Sequence, residues 1–329
     1  MYIAHQIVPT EDNLSFLKQI GVERVISAGP VLNADGCWAL EDLLAIKDQI
    51  ESAGLELVGL NNIIGTPGLR GPKSGGGVRG GHAQDQILLA GDGRDAQIDR
   101  ICQSIRNAGQ VGIGHINYGF ILTGVWRTGR PATGRGGATV TAFDYEMAKD
   151  APLTEAGEVE AEEMWERFEY FLKKVIPVAE EAGVNMACHP HDPPPKLAGD
   201  PRILGSVEGY KRLIETVPSE RNGLNFCQGT VAEMGTDVVE AIHYFGSRNK
   251  IFNVHFRNIR GTSEHFQETF VDDGDVDMME TLRAYHEVGY TGPVVPDHLP
   301  NITVEDSNWG SLGYALGYMK GMLRGIEKG

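Results

Sequence analysis

The sequence predicts an α/β fold and, within that class, a closed (β/α)8 barrel. Three observations point there. Short apolar or β-branched runs alternate eight times with longer helix-like segments, the pattern of a parallel sheet covered by helices. Glycine recurs just ahead of those runs, where a helix must end and a strand begin. No linker or shift of composition divides the 329 residues, so positions 1–329 read as a single catalytic domain.

In chain order the expected strands are 3–8 (IAHQIV), 24–28 (RVISA), 56–61 (ELVGLN), 113–119 (IGHINYG), 184–189 (VNMACH), 224–229 (LNFCQG), 251–257 (IFNVHFR) and 293–298 (PVVPDH). The turns leading into them read IGVER, AGLEL, AGQVG, AGVNM, NGLNF and VGYTG, each with a glycine shortly before the strand. SRNKI has Asn249 instead, the residue that next best tolerates a left-handed helix cap. EVEAEEMWERFEYFLKKVIPVAEEAG is the clearest outer helix, apolar along one stripe and acidic along the other. An open doubly wound sheet is the alternative, but IVPTEDN after the first strand holds no glycine of a nucleotide-binding fingerprint.

Two connections are long, 63–93 and 120–143, and both are rich in glycine. Neither has the spacing of a phosphate-cradling loop. They read either as loose surface or as lids over the C-terminal face, where barrels build their active sites. Arg70, Lys73, Arg79, Arg127, Arg130 and Arg135 gather in these two stretches, which in so acidic a chain suggests an anionic substrate.

The formal charge is −16, which argues against a nucleic-acid or anionic-membrane partner. No apolar run reaches the ~18 residues of a membrane helix. MYIAHQIVPTEDN lacks a basic region followed by a long apolar one, so no signal peptide is expected. Cys37, Cys102, Cys188 and Cys227 are scattered, with no CxxC, which suggests a reducing cytoplasm and a cysteine role other than disulfide formation. A homo-oligomer is the expected assembly.

The last four strands carry the chemistry. The fifth ends in His189, the sixth contains Cys227, the seventh contains His255 and the eighth ends in Asp297, with His298 next. In a barrel all of these point to one face. Imidazole, thiolate and carboxylate are donors that borderline divalent metals accept. Any one of them alone reads more simply as a hydrogen-bonded histidine or a packed cysteine, but four on successive strands make a candidate metal site. Alternation turns Cys188 the other way, into the packing between strand and helix. His191, in the loop NMACHPHDPP, is a candidate for the surface, for support behind the ligands or for substrate contact.

Several blocks then resemble the mannonate dehydratase family, which belongs to the xylose-isomerase-like, metal-dependent TIM barrels. They are ILLAGDGRDAQIDRICQSIRNAG (87–109), WRTGR…GRGGATVTAFD (126–144), NMACHPHDPP (185–194), NFCQGT (225–230), NVHFRNIRG…FQETFVDDGDVDM (253–278) and VVPDH (294–298). The resemblance implies one divalent metal held by His189, Cys227, His255 and Asp297. Manganese is first choice, with Mg2+, Fe2+ or Co2+ as alternatives. It also implies that His298 and Arg127 belong to the substrate site, and that the reaction takes D-mannonate to 2-keto-3-deoxy-D-gluconate and water. The chain departs from the family where His191 replaces an acid of HPDDPP and where Leu299 replaces the glycine of PDHG.

Such a dehydration needs a base for the proton beside the carboxylate and an acid for the departing hydroxyl. His298 is the first candidate for acid/base work and Tyr314 the second. Arg127 and Arg135 are candidates to clamp a small sugar acid by its carboxylate. Arg257, on the side of its strand that carries His255, either reaches substrate or supports the ligands. The acidic run FVDDGDVDM lacks the closing Glu of a calcium loop and reads as a helix cap. The rival readings are a sugar isomerase or epimerase, a related lyase acting on another sugar acid or oxidised glycoside, and a non-catalytic metal-bound sugar-acid binder.

Overall fold

The computed structural model describes residues 1–64, 85–304 and 308–328. The strands are β1 (Tyr2–Ile7), β2 (Arg24–Ala28), β3 (Glu56–Asn61), β4 (His115–Tyr118), β5 (Gly129–Thr133), β6 (Thr139–Asp144), β7 (Asn185–Cys188), β8 (Asn222–Cys227), β9 (Ile251–His255), β10 (Ile259–Thr262), β11 (His265–Glu268) and β12 (Pro293–Val295). The α-helices are α1 (Glu11–Gln19), α2 (Leu40–Ser52), α3 (Asp85–Leu89), α4 (Arg94–Val111), α5 (Tyr145–Ala148), α6 (Ala161–Ala182), α7 (Val207–Thr216), α8 (Gln228–Glu233), α9 (Val238–Gly246), α10 (Met278–Glu287) and α11 (Asn308–Lys328). Among the described residues no helix is long and apolar enough to cross a membrane.

All eight expected strands pair into one closed parallel barrel, in the order β1-β12-β9-β8-β7-β4-β3-β2. Helices cover its outside. The amphipathic α6 buries Phe168, Phe171, Leu172 and Val175, and Phe168 stacks on Phe120 with ring centroids 4.5 Å apart. Its last turn closes on Gly183 at φ +71°, a left-handed cap. Asn249 takes the same cap conformation at φ +54°.

The NGLNF glycine differs from the expectation. Gly223 lies inside β8 and is not a helix cap. A Cβ there would sit 2.7 Å from the Lys250 carbonyl oxygen and 2.5 Å from the Phe252 ring, so the residue is small because another backbone passes close to it.

Two further differences bear on the site. β12 stops at Val295, so Asp297 and His298 sit in the loop just beyond the strand. The 120–143 connection is not loose surface: it forms β5 and β6, which join β10 and β11 in an antiparallel sheet of order β10-β11-β6-β5. This sheet has its own small core of Trp126, Phe143, Leu197, Ile259 and Phe266. Residues 65–84 of the other long connection, with Arg70, Lys73 and Arg79, lie outside the described residues, as does the Arg130 side chain.

Inside the barrel, side chains alternate in and out with period two. Ala4, Ile26 and Val295 pack as an apolar cluster. The inward face also carries amides that bond one another across the barrel, Gln6 of β1 to Asn61 of β3, Asn61 to Asn117 of β4, and Asn225 of β8 to Asn253 of β9. The barrel therefore ends in a polar chamber rather than a packed plug.

The two glycines predict distinguishable mutants. Gly183→Ala meets open space and loses about 1–2 kcal/mol for the left-handed backbone alone, most of it regained in Gly183→Asn. At Gly223 the obstacle is steric, so Gly223→Asn is worse than Gly223→Ala. Urea unfolding of the four variants checks the contrast, and recovery by Asn at both positions would contradict it.

Candidate metal centre

Four strand ends build the centre. His189 follows β7 and keeps the ladder going through its backbone N–H to the Tyr118 oxygen (2.8 Å). Cys227 ends β8 and His255 ends β9, and the two are register partners. Asp297 arrives two residues after β12, whose Val295 pairs with His255. One donor atom from each of these four residues lies within 4.8 Å of the others. His189 Nε2 is 3.2 Å from His255 Nδ1, which is 3.3 Å from Asp297 Oδ2.

The electrostatics suit a cation. Burial would push the Cys227 thiol up, but Arg257 and the imidazoles of His189 and His255 overcome it and hold it well below the ordinary thiol range. Asp297 is likewise held well below the usual carboxylate range, against burial, by His298 and His255. The His255 imidazole, lowered by burial but raised by Asp297 and Cys227, ends at about 10. Cys188 is the control. It is buried in the main core and burial pushes its thiol up, so it offers no thiolate.

Behind the four donors lies a buried ionic cluster that the sequence reading missed. Arg127 donates all five of its N–H bonds to protein: Nη1 to Asp192 Oδ1 (2.6 Å) and the Trp126 oxygen (2.9 Å), Nη2 to Asp192 Oδ2 (2.7 Å) and Glu268 Oε1 (2.6 Å), Nε to Glu268 Oε1 (3.1 Å). Arg257 donates from Nε to Glu268 Oε2 (2.7 Å), from Nη1 to Asp192 Oδ2 (2.9 Å), Thr230 Oγ1 (3.1 Å) and Cys227 Sγ (3.5 Å), and from Nη2 to Glu268 Oε1 (2.9 Å) and Glu233. Asp192, Glu233 and Glu268 come close enough together to hold an ion, but the two guanidinium groups already bind them. Burial opposes the Asp192 charge, yet Arg127 and Arg257 hold its carboxyl well below the ordinary range. Burial and the neighbouring Asp192 push the Glu233 carboxyl upward, against the pull of Arg257.

The expected substrate residues therefore divide. Arg127 has no donor left for a ligand in this arrangement, because Asp192 and Glu268 take what a substrate carboxylate was expected to take. Arg257 is the support behind Cys227. His191 is neither at the surface nor free for substrate. It is fully buried, and burial pushes it down to about 4. Neutral, it donates from Nε2 to the Phe120 oxygen (2.8 Å) and accepts at Nδ1 from the Leu204 N–H (3.4 Å), bracing the loop. Arg135 and Tyr314 lie together, both exposed to solvent. Arg135 bonds Asp272 (2.7 Å) and lies over the Phe270 ring, and Tyr314 shares Asp272. Asp277 in the same acidic run is the N-cap of α10. His298 sits between the two groups of residues, with Nε2 3.6 Å from Asp297 Oδ2 and Nδ1 3.4 Å from Glu268 Oε1.

The comparisons with known proteins fit this geometry. The D-mannonate dehydratase (UxuA) family model matches residues 151–329, which include all four donors and His298. The chain belongs to the mannonate dehydratase family. It is 29% identical to mannonate dehydratase 2 of Halalkalibacterium halodurans over 349 aligned positions, covering 95% of each chain. The crystal structure of mannonate dehydratase from Streptococcus suis serotype 2 superposes with a TM-score of 0.87 at 27% identity, covering 100% of this chain and 94% of that one. An L-ribulose 3-epimerase superposes with a TM-score of 0.61 at 14% identity, which shows a shared barrel and no more. Membership of the mannonate dehydratase family makes the chain a metal-dependent hydro-lyase acting on a small sugar acid.

The ionic cluster predicts a large cost for breaking it from within. Arg257→Met leaves Asp192, Glu233 and Glu268 buried with one guanidinium, and stability falls by about 3–5 kcal/mol. Denaturant unfolding measures it. A loss below 1 kcal/mol would mean that solvent reaches the cluster.

Proposed function

We propose that this chain dehydrates D-mannonate to 2-keto-3-deoxy-D-gluconate, with a divalent ion held by His189, Cys227, His255 and Asp297. The convergence of their four donor atoms within 4.8 Å carries the reading. The donor set also bears on the ion. Two imidazoles, a sulfur and a carboxylate suit a single borderline cation better than a pair of hard ions, and the resemblance to the family, not the donor set, makes manganese the first choice. A bound ion supplies Lewis acidity toward the substrate carboxylate and hydroxyl oxygens.

The protein's own residues account for the protons. His298 takes the proton from the C–H beside the carboxylate, whose electron pair forms the C=C bond as the neighbouring C–O bond breaks, and passes it to the departing hydroxyl. The hydroxyl leaves as water after accepting a proton, and the enol becomes the ketone. His298 is the acid/base residue of this reading. It is partly exposed to the chamber and lies within reach of Glu268, which Arg127 and Arg257 hold in place. Its backbone sits at φ +47°, a conformation that costs a non-glycine residue about 1–2 kcal/mol. Strain of this kind collects at functional sites. Arg135, exposed and bound to Asp272 through one nitrogen, offers its other donors to the incoming acid, with Tyr314 beside it. Arg127 acts through Glu268 and Asp192 instead of touching substrate.

Two variants separate the roles. Cys227→Ala lowers metal content sharply while Cys188→Ala keeps it, as read by elemental analysis after gel filtration. Equal retention removes sulfur from the ligand set. His298→Asn keeps its metal but loses about 10²-fold or more in kcat; unchanged turnover assigns the proton transfer elsewhere. The reading as a whole is tested with manganese and a panel of C5 and C6 sugar acids, aldoses and ketoses. D-mannonate should yield the 2-keto-3-deoxy acid. Interconversion of free sugars without loss of water, or no turnover of any acid by metal-loaded protein, would overturn it.

A further inference from the structure

We propose that the turn joining β5 to β6 is a clamp that brings His298 onto Glu268, and that Thr139 in it is a positioning residue for the acid/base step. The inference rests on the reading of His298 above and goes beyond it by naming what sets its place.

His298 and Glu268 are far apart in sequence and meet at 3.4 Å. Strand register does not explain the meeting, since β11 ends at Glu268 while His298 lies in the loop beyond β12. What the two share is a neighbour. Shortly after each of them the chain is attached to the same turn. After Glu268, Phe270 lies under the Arg135 guanidinium, 4.5 Å from the ring centre, and Asp272 accepts from Arg135 Nη1 (2.7 Å). After His298, Asn301 and Thr139 exchange both backbone bonds: Thr139 N–H to the Asn301 oxygen (2.9 Å) and Asn301 N–H to the Thr139 oxygen (2.7 Å).

The turn holds its two attachment points at a fixed spacing. Gly134 N–H bonds the Ala138 oxygen (2.8 Å), Gly137 N–H the Gly134 oxygen (3.2 Å) and Ala138 N–H the Arg135 oxygen (3.1 Å). Gly136 and Gly137, at φ +63° and +86°, permit the tight reversal. Its base is fixed as well, because β6 pairs with β11, Phe143 opposite Phe266, and β11 carries Glu268. The contacts close a circuit from β6 to β11, from Glu268 to His298 and from Asn301 back to β6.

The link from Asn301 to His298 is short and stiff. Only Leu299 and Pro300 lie between them. Proline fixes its own φ and keeps the residue before it extended. The two hydrogen bonds at Asn301 are of the order needed to keep His298 in its left-handed backbone at φ +47°. The metal side needs none of this. Asp297 is placed from the other end of the loop, by Val295 opposite His255 and by the Phe256 N–H on the Val295 oxygen (2.8 Å). Losing the clamp should therefore spare the ion and cost turnover.

Proline at 139 cuts the clamp locally. The Thr139 N–H is spent on Asn301, and Ala138 is already extended at φ −59°, ψ 145°, as a residue before proline must be. The test uses full-length, manganese-loaded protein and D-mannonate. Thr139→Pro should lose about 10–100-fold in kcat and keep its metal, and Thr139→Val, which retains the N–H, should recover the loss. Made in His298→Asn, Thr139→Pro should change the residual turnover by less than about two-fold, because the residue it positions is gone. Undiminished kcat in Thr139→Pro, loss of the ion along with turnover, or an equal fold loss in both backgrounds overturns the clamp. If Thr139→Pro does not fold, Asn301→Pro removes the reciprocal bond and is judged by the same criteria. His298→Asn alone tests the underlying reading. Full turnover there refutes the acid/base assignment, and the clamp is then judged on crystals of Thr139→Pro, where the 3.4 Å contact should be lost and its survival overturns the proposal.

Discussion

Two negative charges, on the sulfur of Cys227 and the carboxylate of Asp297, have to be kept ionised at the end of a closed barrel, and much of the site follows from that requirement. Burial opposes both charges. The imidazoles of His189 and His255 answer part of it from the chamber side. Arg257 answers the rest from behind the sulfur, with Nη1 at 3.5 Å from it. A buried guanidinium creates the opposite problem. Asp192, Glu233 and Glu268 solve it, and Arg127 then balances the extra carboxylates. The ionic cluster is thus less a stabilising feature in itself than the consequence of keeping a thiolate where a cation can reach it.

The fold makes this affordable by dividing labour between two sheets. The barrel sets the four donors by strand register, which leaves little freedom: Cys227 opposite His255, His255 opposite Val295. The smaller antiparallel sheet brings the counter-charges. Its strand β11 buries Phe266 and Glu268 on one face and leaves His265 and Gln267 on the other, so alternation alone aims Glu268 inward. Glu268 links the parts, since it touches Arg127, Arg257 and His298 together. A change in how Glu268 sits therefore reaches both the sulfur and the acid/base residue.

The barrel and its eight strands were legible because periodicity and glycine punctuation are local signals. The rim positions of the four donors were legible because a barrel converts strand order into neighbourhood. What was not legible depends on partners far apart in sequence. Nothing local says that Arg127 is spent on Asp192 and Glu268 instead of waiting for substrate, or that His191 faces inward onto Phe120 and Leu204. Gly223 was misassigned because a glycine tight against a neighbouring backbone reads the same as a helix cap. One signal was present and passed over: Gln6, Asn61, Asn117, Asn225 and Asn253 interrupt strand runs that an ordinary barrel fills with branched apolar residues. Amides at inward positions of several strands announce a polar chamber.

The most direct measurement is anomalous diffraction at the manganese edge from crystals grown with the ion. One peak is expected, about 2.0–2.4 Å from a donor atom each of His189, Cys227, His255 and Asp297. A peak among Asp192, Glu233 and Glu268, or one that leaves the Cys227 sulfur uncoordinated, would contradict the account.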